Sequence, residues 1–408
     1  MDVAVGPCAT GRFFADQIEG MRVVSYTTDN HLTLLQNGGD FFPALLDAIE
    51  HAHSEIYLET YIFYPDEVGR RVIDALKRAS ARGVQVHVIL DWLGTGRKLC
   101  RLLNREFLAA GIECHVFNRW FLRGFVRLHR KICVVDHQIA FVGGINILND
   151  YRYDYNKKSL LTYPRQDFAV QIEGPLSMRI YQEAIRLWEQ TGKRTLWDRF
   201  DRYRAIIRTR ERFWRTKAAL AGFIVRDNFR NRRTIQRAYL RAMGQARKQV
   251  ILATPYFAPG RRFRNALASA ASRGVEVIIL IGSGEFWVQD SVAQSFYPKL
   301  LKSGIKVFEY NKTQFHGKVA VIDDIWATVG SSNCDGLSLF LNHEANVVIR
   351  DAGFARTLRE DIETALSDAV RICPESFANR PWYRRLWYGT AFLIYRSIMR
   401  TITWGDYS

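Results

Sequence analysis

The 408-residue chain is 48% hydrophobic, which excludes an intrinsically disordered protein, and it is long enough for two domains that each bury a core. Its formal net charge of +17 at pH 7 indicates an anionic partner, either nucleic acid or anionic lipid. Because no apolar run reaches the roughly 18 residues that cross a bilayer, the sequence predicts contact with a membrane only at its surface.

The first half of the chain predicts strands that alternate with helices. Residues 56–90 contain an apolar strand, an amphipathic helix that ends at Arg-Gly, and a second strand rich in β-branched residues. A further helix and a third strand, which ends near residue 118, precede the segment "LHRKICVVDHQIAFVGGIN" at 128–146. This alternation predicts an α/β fold with a mixed, largely parallel sheet.

The segment 128–146 combines polar groups with a strand of buried character. Because residues i and i+2 of a strand share a face, His129 and Lys131 point the same way, and the apolar "ICVV" around them anchors the strand in the core. Asp136 ends this strand, so its distance from the histidine favours a structural role for its carboxylate. Gly144 permits close approach of the backbone to a ligand, and Asn146 adds a carboxamide.

The second half of the chain repeats the first. Residues 250–281 parallel 56–90, and "FHGKVAVIDDIWATVGSSN" at 315–333 aligns with the first motif over 19 positions without a gap, eight of them identical. The second motif supplies the equivalent polar residues, which are His316, Lys318, Asp323, Ser331 and Asn333. Two copies at the same spacing predict two domains, related by a pseudo-twofold axis, whose motifs face each other.

Two facing histidines are suited to phosphodiester exchange. This reaction needs a nucleophile on one side of phosphorus and a proton donor on the other, in line, and histidine can take both roles because its pKa lies near neutrality. The lysines and asparagines of both motifs would hold the phosphoryl oxygens. Asp167 and Glu344, each opening a short apolar strand, are candidates to fix the histidine tautomers. The alternative for both is a surface or strand-edge acid.

The duplicated motif resembles the signature HxKx4Dx6GGxN of the phospholipase D superfamily. Ser331 stands where the signature has its second glycine, a variant that the family accepts. The resemblance covers about residues 34–370 and implies two α/β/α sandwich domains. Within the superfamily, "LETYIF", "NHEANVVI" and both motif segments resemble bacterial cardiolipin synthases of the short type, which lack N-terminal membrane spans.

The resemblance implies a two-step phosphatidyl transfer that needs neither a metal nor a cofactor. By analogy, His129 attacks phosphatidylglycerol to form a phosphohistidine intermediate, and His316 protonates the departing glycerol. His316 then acts as the base for the hydroxyl of a second phosphatidylglycerol. The predicted catalytic residues are His129, Lys131, Asp136, His316, Lys318 and Asp323. The predicted phosphate-binding residues are Gly144, Asn146, Ser331 and Asn333.

Other functions compete with this one. A hydrolytic phospholipase D, or a phosphatidyltransferase with a phosphatidylethanolamine donor or a polyol acceptor, would use the same residues, because the outcome depends on what enters in the second step. A nuclease would direct the positive charge to DNA phosphates. The paired motifs and the C-terminal segment disfavour a nuclease, so no nucleic acid is expected. The intact motif residues disfavour a non-catalytic binding module.

The chain divides into four predicted segments: a domain at 1–192, a basic aromatic linker at 193–222, a second domain at 223–378 and a C-terminal segment at 379–408. Residues 193–217 carry ten basic side chains interleaved with aromatic ones. They either lie at an anionic lipid surface or form a solvated linker. The basic, aromatic insertion at 119–128 is a further candidate contact.

The C-terminal segment predicts an amphipathic helix. One helical face would carry Trp387, Ala391, Ile394, Ile398 and Ile402, opposite Arg385, Arg396 and Arg400. Such a helix either lies in a membrane interface or packs on the protein's own core. With scattered cysteines that indicate a reducing compartment, these features predict a peripheral enzyme on the cytoplasmic face of the bacterial inner membrane, bound to anionic phospholipid.

Overall fold

The structure is a computed structural model that describes residues 24–118, 124–154, 156–192, 219–228, 230–378 and 381–403. The basic aromatic segment at 193–217 and residues 119–123 of the insertion lie outside the described residues. So does the side chain of Arg385 in the C-terminal helix.

Two repeated units of strands and helices form the molecule. The first consists, in chain order, of β1 (Tyr26–Gln36), α1 (Asn37–Glu50), β2 (Glu55–Thr60), α2 (Glu67–Ala81), β3 (Gln85–Asp91), α3 (Arg97–Ala109), β4 (Glu113–Phe117), β5 (Lys131–Val135), β6 (Ile139–Gly143), β7 (Phe168–Glu173) and α4 (Pro175–Thr191). The second begins with β8 (Ala219–Arg226), α5 (Thr234–Gln245), β9 (Gln249–Thr254), β10 (Phe257–Ala258), α6 (Arg261–Ser272), β11 (Glu276–Gly282), α7 (Trp287–Gln294), α8 (Tyr297–Lys302) and β12 (Lys306–Tyr310). It continues with β13 (Val319–Ile322), β14 (Trp326–Gly330), β15 (Cys334–Asp335), α9 (Gly336–Phe340), β16 (Glu344–Arg350), α10 (Ala352–Ser367), β17 (Val370–Ile372), α11 (Pro374–Ala378) and α12 (Trp382–Ile402).

Local sequence explains where the repeated helices begin and end. Asp66 precedes α2 and its carboxylate accepts a hydrogen bond from the Gly69 N–H at 3.0 Å, which satisfies a free helix donor. The helix stops before Gly83, whose φ of 94° is readily adopted only by glycine. In the second unit α6 stops in the same way before Gly274, with φ 85°. The predicted Arg-Gly helix ends are therefore confirmed.

A 15-stranded sheet runs through both units in the order β17-β12-β11-β9-β13-β14-β16-β8-β1-β7-β6-β5-β2-β3-β4. The antiparallel pair β1 and β8 joins the units, and matching strands follow on either side of it. Residues 219–222, which the sequence assigned to the linker, belong to β8 because they pair with β1 and β16.

The predicted mixed α/β fold of two repeated units is confirmed, but parallel pairing is less extensive than expected. Parallel pairs join β2, β3 and β4, and likewise β9, β11 and β12. Within the motif hairpins, β5 pairs antiparallel with β6, and β13 with β14. Each hairpin also pairs antiparallel with the neighbouring strands of its own unit. Helical crossovers return the chain in the same direction, whereas a tight turn reverses it.

The apolar core is continuous across the two units. Each unit has a cluster of its own, around Leu76 in the first and Leu267 in the second. A third cluster combines Val134 of the first motif strand with Val321 of the second. Both motif strands are therefore buried between the units, and their polar starts lie at one shared junction.

The C-terminal helix α12 packs on the second unit. Ala391 and Met399 are buried, and the Trp387 indole stacks on Trp287 of α7 with 5.1 Å between ring centroids. Ile394 and Ile398, predicted to share that inner face, instead point outward and are about half exposed, 51% and 50%. The predicted single apolar face was wrong in this detail, because two apolar faces exist.

Among the described residues, no helix combines the length and the apolar character needed to cross a membrane.

Candidate active site

The two motif histidines lie where the units meet. The His129 N–H donates to the His343 carbonyl of the second unit at 2.9 Å, and the His316 N–H donates to the Gln166 carbonyl of the first unit at 2.7 Å. Each motif strand is thus anchored at its start by the backbone of the opposite unit. The arrangement fixes both histidines at the junction before any side chain is considered.

Each imidazole is held by a carboxylate from the opposite unit. Nδ1 of His129 lies 3.0 Å from Glu344 Oε2 and 3.0 Å from the Ser331 carbonyl oxygen. Nδ1 of His316 lies 2.6 Å from Asp167 Oδ2. A proton on Nδ1 can satisfy these acceptors, which leaves Nε2 to react. The sequence selected both carboxylates, and the structure pairs them crosswise.

The two motif lysines are buried beside the histidines. Lys131 Nζ donates to the His129 carbonyl at 2.7 Å and lies 5.2 Å from the centre of the Tyr61 ring. Lys318 Nζ donates to the His316 carbonyl. Burial and the repulsion between these ammonium groups lower the pKa of Lys131 to about 7, and burial lowers that of Lys318 to about 8. An anionic ligand between them would favour their charged forms.

Burial and nearby cations also favour neutral histidines. Burial lowers the pKa of His129, with Lys131 acting in the same direction and Glu344 opposing it. Burial and the Lys318 ammonium lower the pKa of His316 well below its usual range, with Asp154 opposing the shift. A neutral imidazole keeps a lone pair on one ring nitrogen, so the site without substrate favours the form that can act as a nucleophile or a base.

The two motif asparagines sit close to the histidines but differ in their partners. Asn146 is fully buried, its Oδ1 accepts from the Ile62 N–H at 3.3 Å, and its Nδ2 donates to Asp154 at 3.4 Å. Asn333 Oδ1 is buried without a hydrogen-bond partner among the residues that the structure describes. The Asn333 carboxamide therefore retains an unused polar atom.

Gly144 and Ser331, predicted to contact phosphate, lie beside the orienting carboxylates. Their N–H groups already donate to the Phe168 and Ala345 carbonyls, both at 2.9 Å. A Cβ on Gly144 would lie only 2.2 Å from Asp167 Oδ1. At the equivalent position Ser331 Oγ donates to Glu344 Oε2 at 2.5 Å.

This difference explains why the second motif accepts serine. Aspartate has the shorter side chain, and the Asp167 carboxylate leaves no room for a Cβ at Gly144. Glutamate is one methylene longer, and the Glu344 carboxylate leaves space for the Ser331 hydroxyl, which hydrogen-bonds to it. The structure therefore gives Gly144 and Ser331 a place beside the orienting carboxylates, and phosphate binding by them stays a prediction.

The contacts of the motif aspartates fit the structural role that their position at the strand end favours, and a direct catalytic role stays a prediction. Asp136 accepts from the N–H groups of His53, Ser54 and Glu55 at 2.8 to 3.0 Å. Asp323 accepts from three N–H groups at 2.8 to 2.9 Å, those of residues 247–249. Both adopt positive φ, 50° and 54°, at the start of the motif hairpin turns. They fix the far end of each hairpin, away from the histidines.

Sequence reasoning missed a third carboxylate beside the histidines. Asp154 Oδ2 lies 3.2 Å from His316 Nε2, and Asp154 Oδ1 lies 3.0 Å from the buried Arg165 guanidinium. Both lie in the 20 residues between Asn146 and Asp167, whereas the second motif has 10 residues between Asn333 and Glu344. That unequal length was the available signal.

A buried ion pair next to the histidine was also missed. The Arg130 guanidinium donates to both carboxylate oxygens of Glu59, at 2.7 and 2.8 Å, with both side chains buried. It lies on the opposite face of the strand from His129 and Lys131, so it stabilises the motif strand from behind.

Two imidazoles held by carboxylates, two ammonium groups and two carboxamides at one junction define a phosphodiester-transferring site of the phospholipase D type. Among the described residues, no group of three or more His, Cys, Asp or Glu side chains is arranged to hold a metal ion.

Comparisons with known proteins define the family. Residues 45–176 and 239–366, together more than half of the chain, match the family model described as cardiolipin synthase, PLD-like domain. Cardiolipin synthase B of Salmonella typhimurium is 38% identical over 92% of this chain and 90% of its own length. The Escherichia coli K12 protein of the same name is 37% identical over 93% and 91%. The chain belongs to this cardiolipin synthase family with phospholipase D-like domains.

The fold has a solved counterpart. The crystal structure of phosphatidylserine synthase from Haemophilus influenzae superposes with a TM-score of 0.69 and covers 93% of this chain and 97% of its own. With 14% sequence identity, this likeness concerns the fold alone.

Proposed function

We propose that this protein is a cardiolipin synthase that transfers a phosphatidyl group between two phosphatidylglycerol molecules and releases glycerol. The observation that carries the proposal is the pair of buried motif histidines, each held through Nδ1 by a carboxylate of the opposite unit. Membership of the cardiolipin synthase family supports the choice of lipid substrate.

In the first step, His129 Nε2 attacks the phosphorus of phosphatidylglycerol. The bond from phosphorus to the glycerol oxygen breaks, and His316 Nε2 gives a proton to that oxygen. Lys131 and Lys318, with Asn146 and Asn333, hold the phosphoryl oxygens as charge develops on them. The bound phosphate also offsets the repulsion between the lysines, which favours the protonated form that His316 needs as an acid.

In the second step, His316 takes the proton of an incoming hydroxyl. The hydroxyl oxygen of a second phosphatidylglycerol attacks the phosphohistidine, and the phosphorus–nitrogen bond breaks in favour of His129. Cardiolipin is formed and both histidines return to their initial states. Water entering in place of the alcohol would give phosphatidic acid instead.

Labelled phosphatidylglycerol tests this function. Incubation of the purified full chain is expected to yield cardiolipin and glycerol in equal amounts. Phosphatidic acid as the sole product would instead indicate a hydrolytic phospholipase D. His129→Ala and His316→Ala are each expected to lower turnover by about a thousandfold or more, with an unchanged melting temperature. Full activity in either variant would contradict the two-histidine mechanism.

We also propose that the enzyme binds anionic lipid at the cytoplasmic face of the inner membrane. The outer face of α12 supports this location, because Leu386, Leu393 and Ile394 are 64%, 60% and 51% exposed on a helix that also carries the exposed Arg396 and Arg400. An apolar stripe beside basic side chains is typical of an interfacial helix. The net charge of +17 adds attraction to an anionic surface.

A further inference from the structure

The two reactive histidines differ in what lies against Nε2. His316 Nε2 is 3.2 Å from the Asp154 carboxylate, while its Nδ1 contacts Asp167. The hydrogen bonds that the His129 imidazole makes to described residues involve Nδ1, and the imidazole and the Tyr61 ring form a T-shaped pair with 4.9 Å between centroids. The pseudo-twofold symmetry of the site is therefore broken by one carboxylate.

Asp154 is held in place as an anion but is still accessible. Although burial opposes ionisation, Arg165 and His316 lower the pKa of Asp154. Its side chain retains 14% exposure, whereas the Arg165 side chain beneath it has none. Asn146 donates to the same oxygen that contacts His316. Asp154 thus presents an acceptor oxygen toward the reacting nitrogen.

Asp154 belongs to a group of connected polar side chains that the proposed phosphoryl transfer does not use. Arg165 Nε donates to Gln314 Oε1 at 3.1 Å, and Gln314 Nε2 donates to Glu285 at 2.9 Å. Arg165 Nη1 is buried and has no hydrogen-bond partner in the described part of the chain. A buried donor without a partner marks a position for a polar ligand atom or a water.

The charge of Asp154 determines which ligand groups can lie against its carboxylate. A carboxylate repels phosphoryl oxygens, so the phosphate cannot lie against it, but a carboxylate accepts hydrogen bonds from alcohol hydroxyls. A glycerol headgroup offers neighbouring hydroxyls. One of them can exchange a proton with His316 Nε2 while the next donates to Asp154.

We propose that Asp154 and Arg165 form a hydroxyl-binding subsite on the His316 side, which holds the glycerol that leaves in the first step and the glycerol headgroup that enters in the second. The inference rests on the proposed transfer and assigns its alcohol specificity. In the first step the glycerol oxygen keeps the electron pair of the broken P–O bond and receives the proton from His316. In the second, the entering hydroxyl returns a proton to His316 as its oxygen bonds to phosphorus and His129 regains its electron pair.

Acceptor competition on a donor that does not need the subsite tests this role. Phosphatidyl-p-nitrophenol is such a donor, because its leaving group carries no further hydroxyl and departs without an acid. Release of p-nitrophenol reports the first step. The initial ratio of phosphatidylglycerol plus cardiolipin to phosphatidylpropanol, formed in the presence of glycerol and 1-propanol, reports acceptor choice. The wild type is expected to prefer glycerol.

Asp154→Asn is expected to lower the preference for glycerol over 1-propanol about 10- to 100-fold, as the charge-assisted hydrogen bond is lost, while p-nitrophenol release changes less than threefold. Asp150→Asn is the matched control, because Asp150 lies in the same segment and accepts from the Gly38 N–H at 2.5 Å without contacting His316. Its acceptor preference is expected to equal that of the wild type.

The two proposals fail in different ways. Wild-type protein that forms no cardiolipin from labelled phosphatidylglycerol would reject the proposed function itself. Normal transfer with an unchanged glycerol preference in Asp154→Asn would overturn the subsite alone. So would an Asp154→Asn variant that transfers faster to glycerol and to 1-propanol by the same factor, because the carboxylate would then only obstruct the site. Should Asp154→Asn melt early, Asp154→Ser gives the same readout with a smaller side chain.

Discussion

His129 of the first unit is held through its Nδ1 atom by Glu344 of the second, at 3.0 Å. The reciprocal contact joins His316 of the second unit to Asp167 of the first, at 2.6 Å. For the motif histidines, neither unit therefore supplies both the imidazole and the carboxylate that contacts its Nδ1 atom. The duplication seen in the sequence is a requirement of the site, because each unit orients the reactive group of the other.

This crossed pairing predicts which step each carboxylate supports. Glu344→Gln is expected to slow p-nitrophenol release from phosphatidyl-p-nitrophenol about 100- to 10,000-fold, because His129 loses the partner that fixes its tautomer. Asp167→Asn is expected to leave that release nearly unchanged, since p-nitrophenol needs no acid, and to slow turnover of phosphatidylglycerol by a similar factor. Stopped-flow absorbance and product analysis with labelled lipid give the two rates.

The crossed assignment fails if the two variants exchange their effects. Slow p-nitrophenol release in Asp167→Asn, with normal release in Glu344→Gln, would assign the nucleophile to His316 instead.

Gly144 is predicted to be required for the position of Asp167. Gly144→Ala places a Cβ 2.2 Å from Asp167 Oδ1, so the carboxylate must move away from His316. Turnover of phosphatidylglycerol is expected to fall at least about tenfold, because a displaced Asp167 carboxylate no longer orients His316. Gly244→Ala in α5 is the control, since its Cβ would meet no atom within 4 Å. Equal activities of the two variants would contradict this role.

The lysine pKa values predict the alkaline limb of the pH profile. An ammonium group carries its charge below its pKa and loses it above, so the free enzyme loses Lys131 charge above about pH 7 and Lys318 charge above about pH 8. In the proposed mechanism both charges hold the phosphate, so kcat/KM for phosphatidyl-p-nitrophenol, whose leaving group needs no acid from His316, is expected to decline through this range. Lys131→Arg is expected to move the onset of the decline to higher pH, because arginine stays charged.

The acid limb follows from the histidines. Burial lowers the pKa of His129, so the neutral nucleophile persists to lower pH than for an exposed histidine, whose pKa lies near 6.5. The kcat/KM profile measured with phosphatidyl-p-nitrophenol is therefore expected to fall on the acid side only below about pH 6.5. An alkaline limb that stays flat up to pH 10 would contradict the lowered lysine pKa values.

Much of this site was predictable because its motif occurs twice in the chain. Duplication identified both histidines and both lysines, and strand periodicity placed each pair on one face. Asp167 and Glu344 were found as acids at matching positions of two apolar strands. Their crossed pairing was not predictable, because a sequence spacing carries no information on which unit a side chain faces.

Features that depend on one copy escaped the sequence. Asp154 has no counterpart at the matching distance from Asn333, where Leu341 stands, so the repeat gave no signal for it. The strands β1 and β8 were missed because they precede the repeated segments, although they join the two halves of the sheet. For α12, periodicity indicated an amphipathic helix. The sequence does not tell which of its two apolar faces packs on the protein, because that depends on the elements that lie against each face.

The outer face of α12 is predicted to bind lipid without stabilising the fold. Leu386→Ser combined with Leu393→Ser is expected to weaken binding to phosphatidylglycerol vesicles about tenfold or more, because two side chains that are 64% and 60% exposed lose their apolar contact with the membrane. The free energy of unfolding is expected to change by less than about 0.5 kcal/mol per site, as for exposed positions in general. Vesicle sedimentation and thermal melting measure the two effects.

Ile325→Ser is the control, since Ile325 is 61% exposed but lies in the β13–β14 turn. Vesicle binding lost equally in the control, or retained in the double variant, would place the lipid contact elsewhere on the molecule.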